Sequence, residues 1–153
     1  MAQTDFEVDK ENLEVRITRV FDATPERMWQ AHTDPEQIQK WWSDTAIDKF
    51  ELKVGGAWRF VSRGGGNSEQ AFNGIFKELD EPNKIVRTFE YEPWAGHVMT
   101  ESVTFEALPG GKTKQVTVSK YDNIGDLEGM VGSGMEQGAT IGLDRLAKLV
   151  EEG

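Results

Sequence analysis

Cysteine is absent from the chain, so disulfides, thiol nucleophiles and thiolate metal sites are excluded at the outset. Basic residues are in short supply: 17 Lys and Arg stand against 27 Asp and Glu, for a formal charge of −10. Binding a nucleic-acid backbone requires clustered cations, and an anionic membrane surface is disfavoured by the same sign. No apolar run is long enough to span a bilayer. The opening stretch MAQTDFEVDKEN has no basic patch followed by an apolar run and does not read as a signal peptide. The two histidines, His32 and His97, are far apart and resemble no metal-ligand spacing. No G-x-S-x-G nucleophile turn occurs. The GGGNS run at Gly64–Ser68 lacks the lysine and following helix of a phosphate loop, so it reads as a hairpin connection. These absences leave a cytoplasmic protein with no nucleic acid, membrane, metal, cofactor or defined catalytic set as the expectation.

What is present is strand patterning followed by a helix. Residues 1–12 read as disordered or extended, and 13–153 as one domain. Leu13–Phe21 alternates as a strand with Leu13, Val15, Ile17 and Arg19 on one side. Thr24-Pro25 and Asp34-Pro35 each place a capping side chain before a proline, predicting two short helices, the second ending in Trp41-Trp42. Strands are predicted at Ile47–Lys53, Ala57–Arg63, Ala71–Leu79, Ile85–Glu92, Val98–Leu108 and Lys114–Tyr121. The breaks between them are Gly, Pro, Asn and Asp turns, and short loops imply an antiparallel meander.

Asp126–Val150 reads as one long helix, yet it holds Gly129, Gly132, Gly134, Gly138 and Gly142. Each glycine inside a helix costs about 1 kcal/mol relative to alanine, so something must offset the set. Gly134, Gly138 and Gly142 recur every fourth residue and would line one helix face. Either the helix packs closely on a sheet there, or the missing side chains leave a cavity; both readings stay open. The apolar stripe of this helix is Leu127, Val131, Met135, Ile141, Leu146 and Leu149.

The element order resembles the helix-grip fold of the START-like (SRPBCC, Bet v 1-like) superfamily, in the branch named for the activator of heat-shock protein 90 ATPase homologue. The resemblance rests on VFDATPERMWQAHTDPEQIQKWW at Val20–Trp42, GGAWRF at Gly55–Phe60, FNGIFKELDEPNKIVRTFEY at Phe72–Tyr91, SVTFEAL at Ser102–Leu108 and GMEQGATIGLDRLAKLV at Gly134–Val150. It implies an α+β fold of order β-α-α-β-β-β-β-β-β-α, with a curved antiparallel sheet around a C-terminal helix. It also implies a pocket for small apolar or amphipathic molecules, but no particular reaction, since a shared fold does not carry a shared chemistry.

Strand alternation says which residues would line such a pocket. Trp58 and Phe60 share one face, as do Phe72, Gly74 and Phe76; Arg87, Phe89 and Tyr91; and Met99, Glu101, Val103 and Phe105. If Leu79 faces Lys84 across its turn, Phe72 opposes Tyr91, Gly74 opposes Phe89, and Phe76 opposes Arg87. A loop at Glu92–Gly96 would then set Tyr91 opposite His97, Phe89 opposite Met99 and Arg87 opposite Glu101. That ion pair on an apolar face is either a structural cross-strand bridge, a pair at the rim, or a means of orienting a polar ligand group. Trp41 would join the wall while Trp42, next to it, points elsewhere. Trp94 and His97 would sit at the mouth, with Trp94 as a lid or contact surface. Met130, Met135 and Gly138 would come from the helix. The expected protein is a monomer or weak homodimer binding a hydrophobic or amphipathic small molecule. Alternatives are a chaperone-contacting module and a cyclase or hydrolase using Arg87, Glu101, His97 and Tyr91.

Overall fold

The computed structural model describes residues 4–42, 45–62 and 70–152. The Gly64–Ser68 connection and Arg63 lie outside the described residues. The strands are β1 (Asp5–Asp9), β2 (Glu14–Phe21), β3 (Thr45–Phe50), β4 (Ala57–Ser62), β5 (Gln70–Asp80), β6 (Lys84–Tyr91), β7 (Val98–Leu108) and β8 (Lys112–Lys120). They form one antiparallel sheet in the order β1-β2-β8-β7-β6-β5-β4-β3. From β2 the chain passes through α1 (Pro25–Thr33) and α2 (Pro35–Trp41) and re-enters at β3 on the opposite edge.

Both short helices begin as their sequences demand. The Thr24 hydroxyl accepts from Arg27 N at 3.3 Å, the Asp34 carboxylate from Glu36 N at 3.1 Å, and each cap precedes a proline. On β2 the alternation is as expected: Val15, Ile17 and Arg19 are buried, while Arg16 and Val20 are exposed. The first twelve residues contribute a strand absent from the expected order, because β1 pairs with β2 from Asp5↔Thr18 to Asp9↔Glu14.

The long helix divides in two. The first part, α3 (Ile124–Gly132), is capped by Asn123, whose side chain accepts from Asp126 N at 2.8 Å. Ser133 N closes its last turn on Met130 O at 3.1 Å, and Gly134 then adopts φ +92°. That left-handed conformation is the usual glycine exit from a helix, so Gly134 ends α3 instead of lining α4. The second part, α4 (Met135–Glu152), therefore starts a new phase. Leu143, Leu146, Ala147 and Val150 form its buried face, while Ile141, expected in the apolar stripe, is 55% exposed. The helix packs mainly on α1 and α2 and also on β2. Arg27 strengthens this side by donating to the Leu149 carbonyl at 3.3 Å.

Four of the expected cross-strand pairs form. Phe72↔Tyr91, Phe76↔Arg87, Phe89↔Met99 and Arg87↔Glu101 pair as expected. Leu79 instead faces Ile85, because the β5–β6 register shifts between Phe76 and Glu78. Gly74 makes room chiefly for Trp58, its partner on β4, and for the backbone of Thr88, instead of for the Phe89 ring. A Cβ there would lie 1.9 Å from the Thr88 carbonyl oxygen and 2.6 Å from Trp58 Nε1. The ladder stops at Glu90↔Val98, one position short of the expected Tyr91–His97 pair, and Glu92–Trp94 turns through a 3-10 segment.

Candidate functional site

Between the concave face of the sheet and α4 lies a cavity of about 520 Å³. Its floor comes from the middle strands, where period-2 alternation aligns side chains across neighbouring ladders. Arg87 opposes Glu101 and Glu101 opposes Ser119, making one polar row; Val103↔Thr117 and Phe105↔Gln115 follow. Trp41, Trp42, Phe72 and Phe89 form an aromatic wall, and Met130, Met135, Gly138, Ala139, Gly142 and Leu143 form the roof. Ile141 and Arg145 also border the cavity and are exposed, which places its opening along α4.

Arg87 and Glu101 meet at 3.0 Å through Nε and Oε1, with side chains only 11% and 13% exposed. The guanidinium also lies 4.6 Å from the Trp58 ring centre, over an aromatic face that favours a cation. Opposite them, His32 Nε2 donates to Gln115 Oε1 at 2.9 Å. The uncovered part of this ring borders the cavity, and protein surrounds it elsewhere. Burial pushes its pKa down to about 4, with the nearby Arg87 charge acting in the same direction and the Gln115 bond opposing both. His32 is therefore neutral at pH 7. Beside Glu101 and Ser119, burial pushes the Tyr121 hydroxyl up to about 12.

Of the residues expected from sequence, Trp41, Phe72, Arg87, Phe89, Met99, Glu101, Val103, Met130, Met135 and Gly138 border the cavity. Trp58, Phe60 and Phe76 do not: they are almost fully buried in the core beyond it, with the Trp58 ring tilted against those of Phe60 and Phe89. Tyr91, Trp94 and His97 border a smaller adjoining depression with Val98, Tyr121 and Asp126. There Trp94 stacks on His97 with ring centres 4.1 Å apart, and His97 Nδ1 lies 2.6 Å from Asp126 Oδ1. The loop is anchored at both ends, by the Arg59–Glu92 fork at 2.8 and 2.9 Å and by Gly96 N donating to Glu90 at 2.7 Å. The Tyr91 hydroxyl donates to Gln70 Oε1.

Several bordering residues were not anticipated. Trp42 lines the cavity beside Trp41 because it caps α2 in an extended conformation, and its ring turns onto Phe60, Phe72 and Phe89. His32 reaches the floor from the last turn of α1. Gln115, Thr117 and Ser119 could have been placed by alternation on β8, the same argument that placed Glu101 and Val103 on β7.

The glycine question is settled by distance. A Cβ built on Gly138 or Gly142 meets no atom within 4 Å, so neither is required for close packing on the sheet. Gly129 is the opposite case, where a Cβ would lie 2.8 Å from the end of the Trp94 indole. Among the described residues no cluster of His, Asp and Glu is arranged to hold a metal ion, and no helix is long and apolar enough to cross a membrane.

A curved antiparallel sheet gripping a C-terminal helix across an internal hollow defines a helix-grip protein. The chain belongs to the family described as Activator of Hsp90 ATPase homolog 1-like protein, whose model matches residues 22–151. Among solved structures it is similar to protein Ms6760 from Mycobacterium smegmatis, with 24% identity over 97% of each chain and a TM-score of 0.87. It is also similar to protein CV1439 from Chromobacterium violaceum, with 26% identity over 91% of this chain and 97% of that one, and a TM-score of 0.78. A protein from Arthrobacter aurescens superposes with a TM-score of 0.88 at 22% identity, over 97% of this chain and 92% of that one. No curated protein matches.

Proposed function

We propose that this protein binds a hydrophobic or amphipathic small molecule in the cavity between its sheet and α4, without turning it over. The observation that carries this reading is a hollow of about 520 Å³ bordered mainly by aromatic and aliphatic groups with a few polar side chains at its floor. That combination and size are typical of small-molecule sites, where apolar walls supply affinity and a few polar groups fix orientation. The open space opposite Gly138 and Gly142 supports it further, since two helix-weakening residues border the hollow without any packing role.

Titration with a panel of fatty acids, flavonoids and polyketides, followed by tryptophan fluorescence and two-dimensional NMR, tests the proposal. Quenching together with shifts clustered on Trp42, Phe89, Met99 and Met135 is the expected result. Shifts confined to outer loops, appearing only on addition of a chaperone domain, would replace it with the interaction reading. No response to any compound would remove it.

A further inference from the structure

The cavity floor carries more hydrogen-bonding capacity than the protein uses. Arg87 is 9% exposed, and its one hydrogen bond runs from Nε to Glu101 Oε1. Among the described residues, its two terminal nitrogens have no protein partner, and neither has the second carboxylate oxygen of Glu101. Two aromatic contacts favour this position of the guanidinium, whose carbon lies 4.6 Å from the Trp58 ring centre and 5.8 Å from that of Trp42. N–H donors and a carboxylate acceptor therefore stand side by side on the border of a largely apolar hollow. Leaving such groups unmatched away from water is costly, so an occupant that satisfies them is favoured over one that does not.

Charge decides what that occupant is. Arg87 and Glu101 already cancel, His32 is neutral at pH 7, and Gln115, Thr117 and Ser119 carry no charge. Arg145 is the remaining cation bordering the cavity, but it is exposed at the opening, where water and salt screen it. A carboxylate pushed down to the floor would meet Arg87 only by also facing Glu101, and an ammonium would meet the reverse. A neutral group with an acceptor and a donor on one carbon matches both members of the pair.

Building on the small-molecule role proposed above, we propose that the floor selects an uncharged, bidentate polar end of the carboxamide type. Its carbonyl accepts from the Arg87 terminal nitrogens and its N–H donates to the free oxygen of Glu101.

Three probes with the same ten-carbon chain test this: decanamide, decanoate and decyltrimethylammonium, titrated at pH 7 below their aggregation thresholds. Decanamide is expected to bind more tightly than either ion by about tenfold or more, since like charges brought together away from water are strongly unfavourable. Glu101→Gln keeps an oxygen for Arg87 Nε but removes the negative charge, so decanoate should gain at least about tenfold and overtake decanamide. Thermal melting establishes that the variant is folded; were it unfolded, the order of the three probes on the native protein decides alone. Decanoate binding as tightly as decanamide to the native protein, or an unchanged order in folded Glu101→Gln, overturns the neutral-end assignment while leaving a binding cavity. No binding of any probe sinks the cavity reading and this one together.

Discussion

Replacing Gly138 and Gly142 by alanine should make the protein more stable and a poorer container. Both glycines lie inside α4, and an alanine Cβ at either position meets no atom within 4 Å. The backbone preference then acts unopposed, at about 1 kcal/mol for each site. For a chain of this length about 1 kcal/mol raises the melting temperature by roughly 2–4 °C, so the double variant should melt about 4–8 °C higher. The two methyl groups project toward the cavity, and a ligand filling it would have to shift or be crowded, at about 1 kcal/mol or more. Differential scanning calorimetry and ligand titration on the same preparations read both effects. Stability and affinity moving in opposite directions is the signature of a hollow kept open at the expense of its roof. A lower melting temperature in either single variant would mean that the space is not free, and the reasoning would fail. Affinity unchanged even in Gly142→Leu would mean that the space is free but unused.

Gly129→Ala supplies the contrast: its Cβ would lie 2.8 Å from the Trp94 ring, so it should give no such gain in melting temperature and should change the emission of that indole. His32 makes stability pH-dependent. With a folded pKa of about 4 against about 6.5 unfolded, the unfolded chain binds the extra proton between those values. Stability is therefore full above about pH 6.5 and falls by up to about 3 kcal/mol as pH drops toward 4, and denaturant titrations of His32→Gln should show a shallower acid limb. Arg19 is buried and donates to Asp144 at 2.5 Å, while Asp144 stays 64% exposed. Asp144→Ala should cost about 2 kcal/mol by leaving a buried cation uncompensated, whereas Arg19→Met should cost less; the reverse order in chemical denaturation would refute this account of the pair. Arg87→Met should weaken ligand binding more than folding, and equal losses in both would reduce Arg87 to a structural role.

Elements controlled by short-range chemistry were legible in the residues alone. The caps at Thr24 and Asp34, the meander and the Arg87–Glu101 pairing all follow from turn residues and period-2 alternation. The Leu79 register was missed because a bulge between Phe76 and Glu78 leaves no composition signal in a strand of ordinary residues. The division of the long helix was concealed in plain view. Ser133-Gly134 is a stop signal, but the four-residue recurrence of glycine suggested continuity. Around the cavity, side chains on strands were placed well, since a strand fixes direction residue by residue. Trp42 and His32 were not, because a residue at a helix end can turn either way and only the neighbouring sheet decides. Trp58, Phe60 and Phe76 were on the correct face but toward the β3 edge of the sheet, covered by Trp42 and Phe50, and position across a sheet is a tertiary property.

The joint at Ser133-Gly134 separates two tasks that a single rod would have combined. On the binding role proposed above, polar discrimination would fall to paired strands, through Arg87, Glu101 and Ser119, while the roof hangs from an elbow followed by a helix seated on α1 and α2. Changes at that elbow would alter how far the roof stands from the floor without disturbing a single ladder bond. Capacity and selectivity could thus diverge independently, the first through two residues of turn and the second through one row of the sheet.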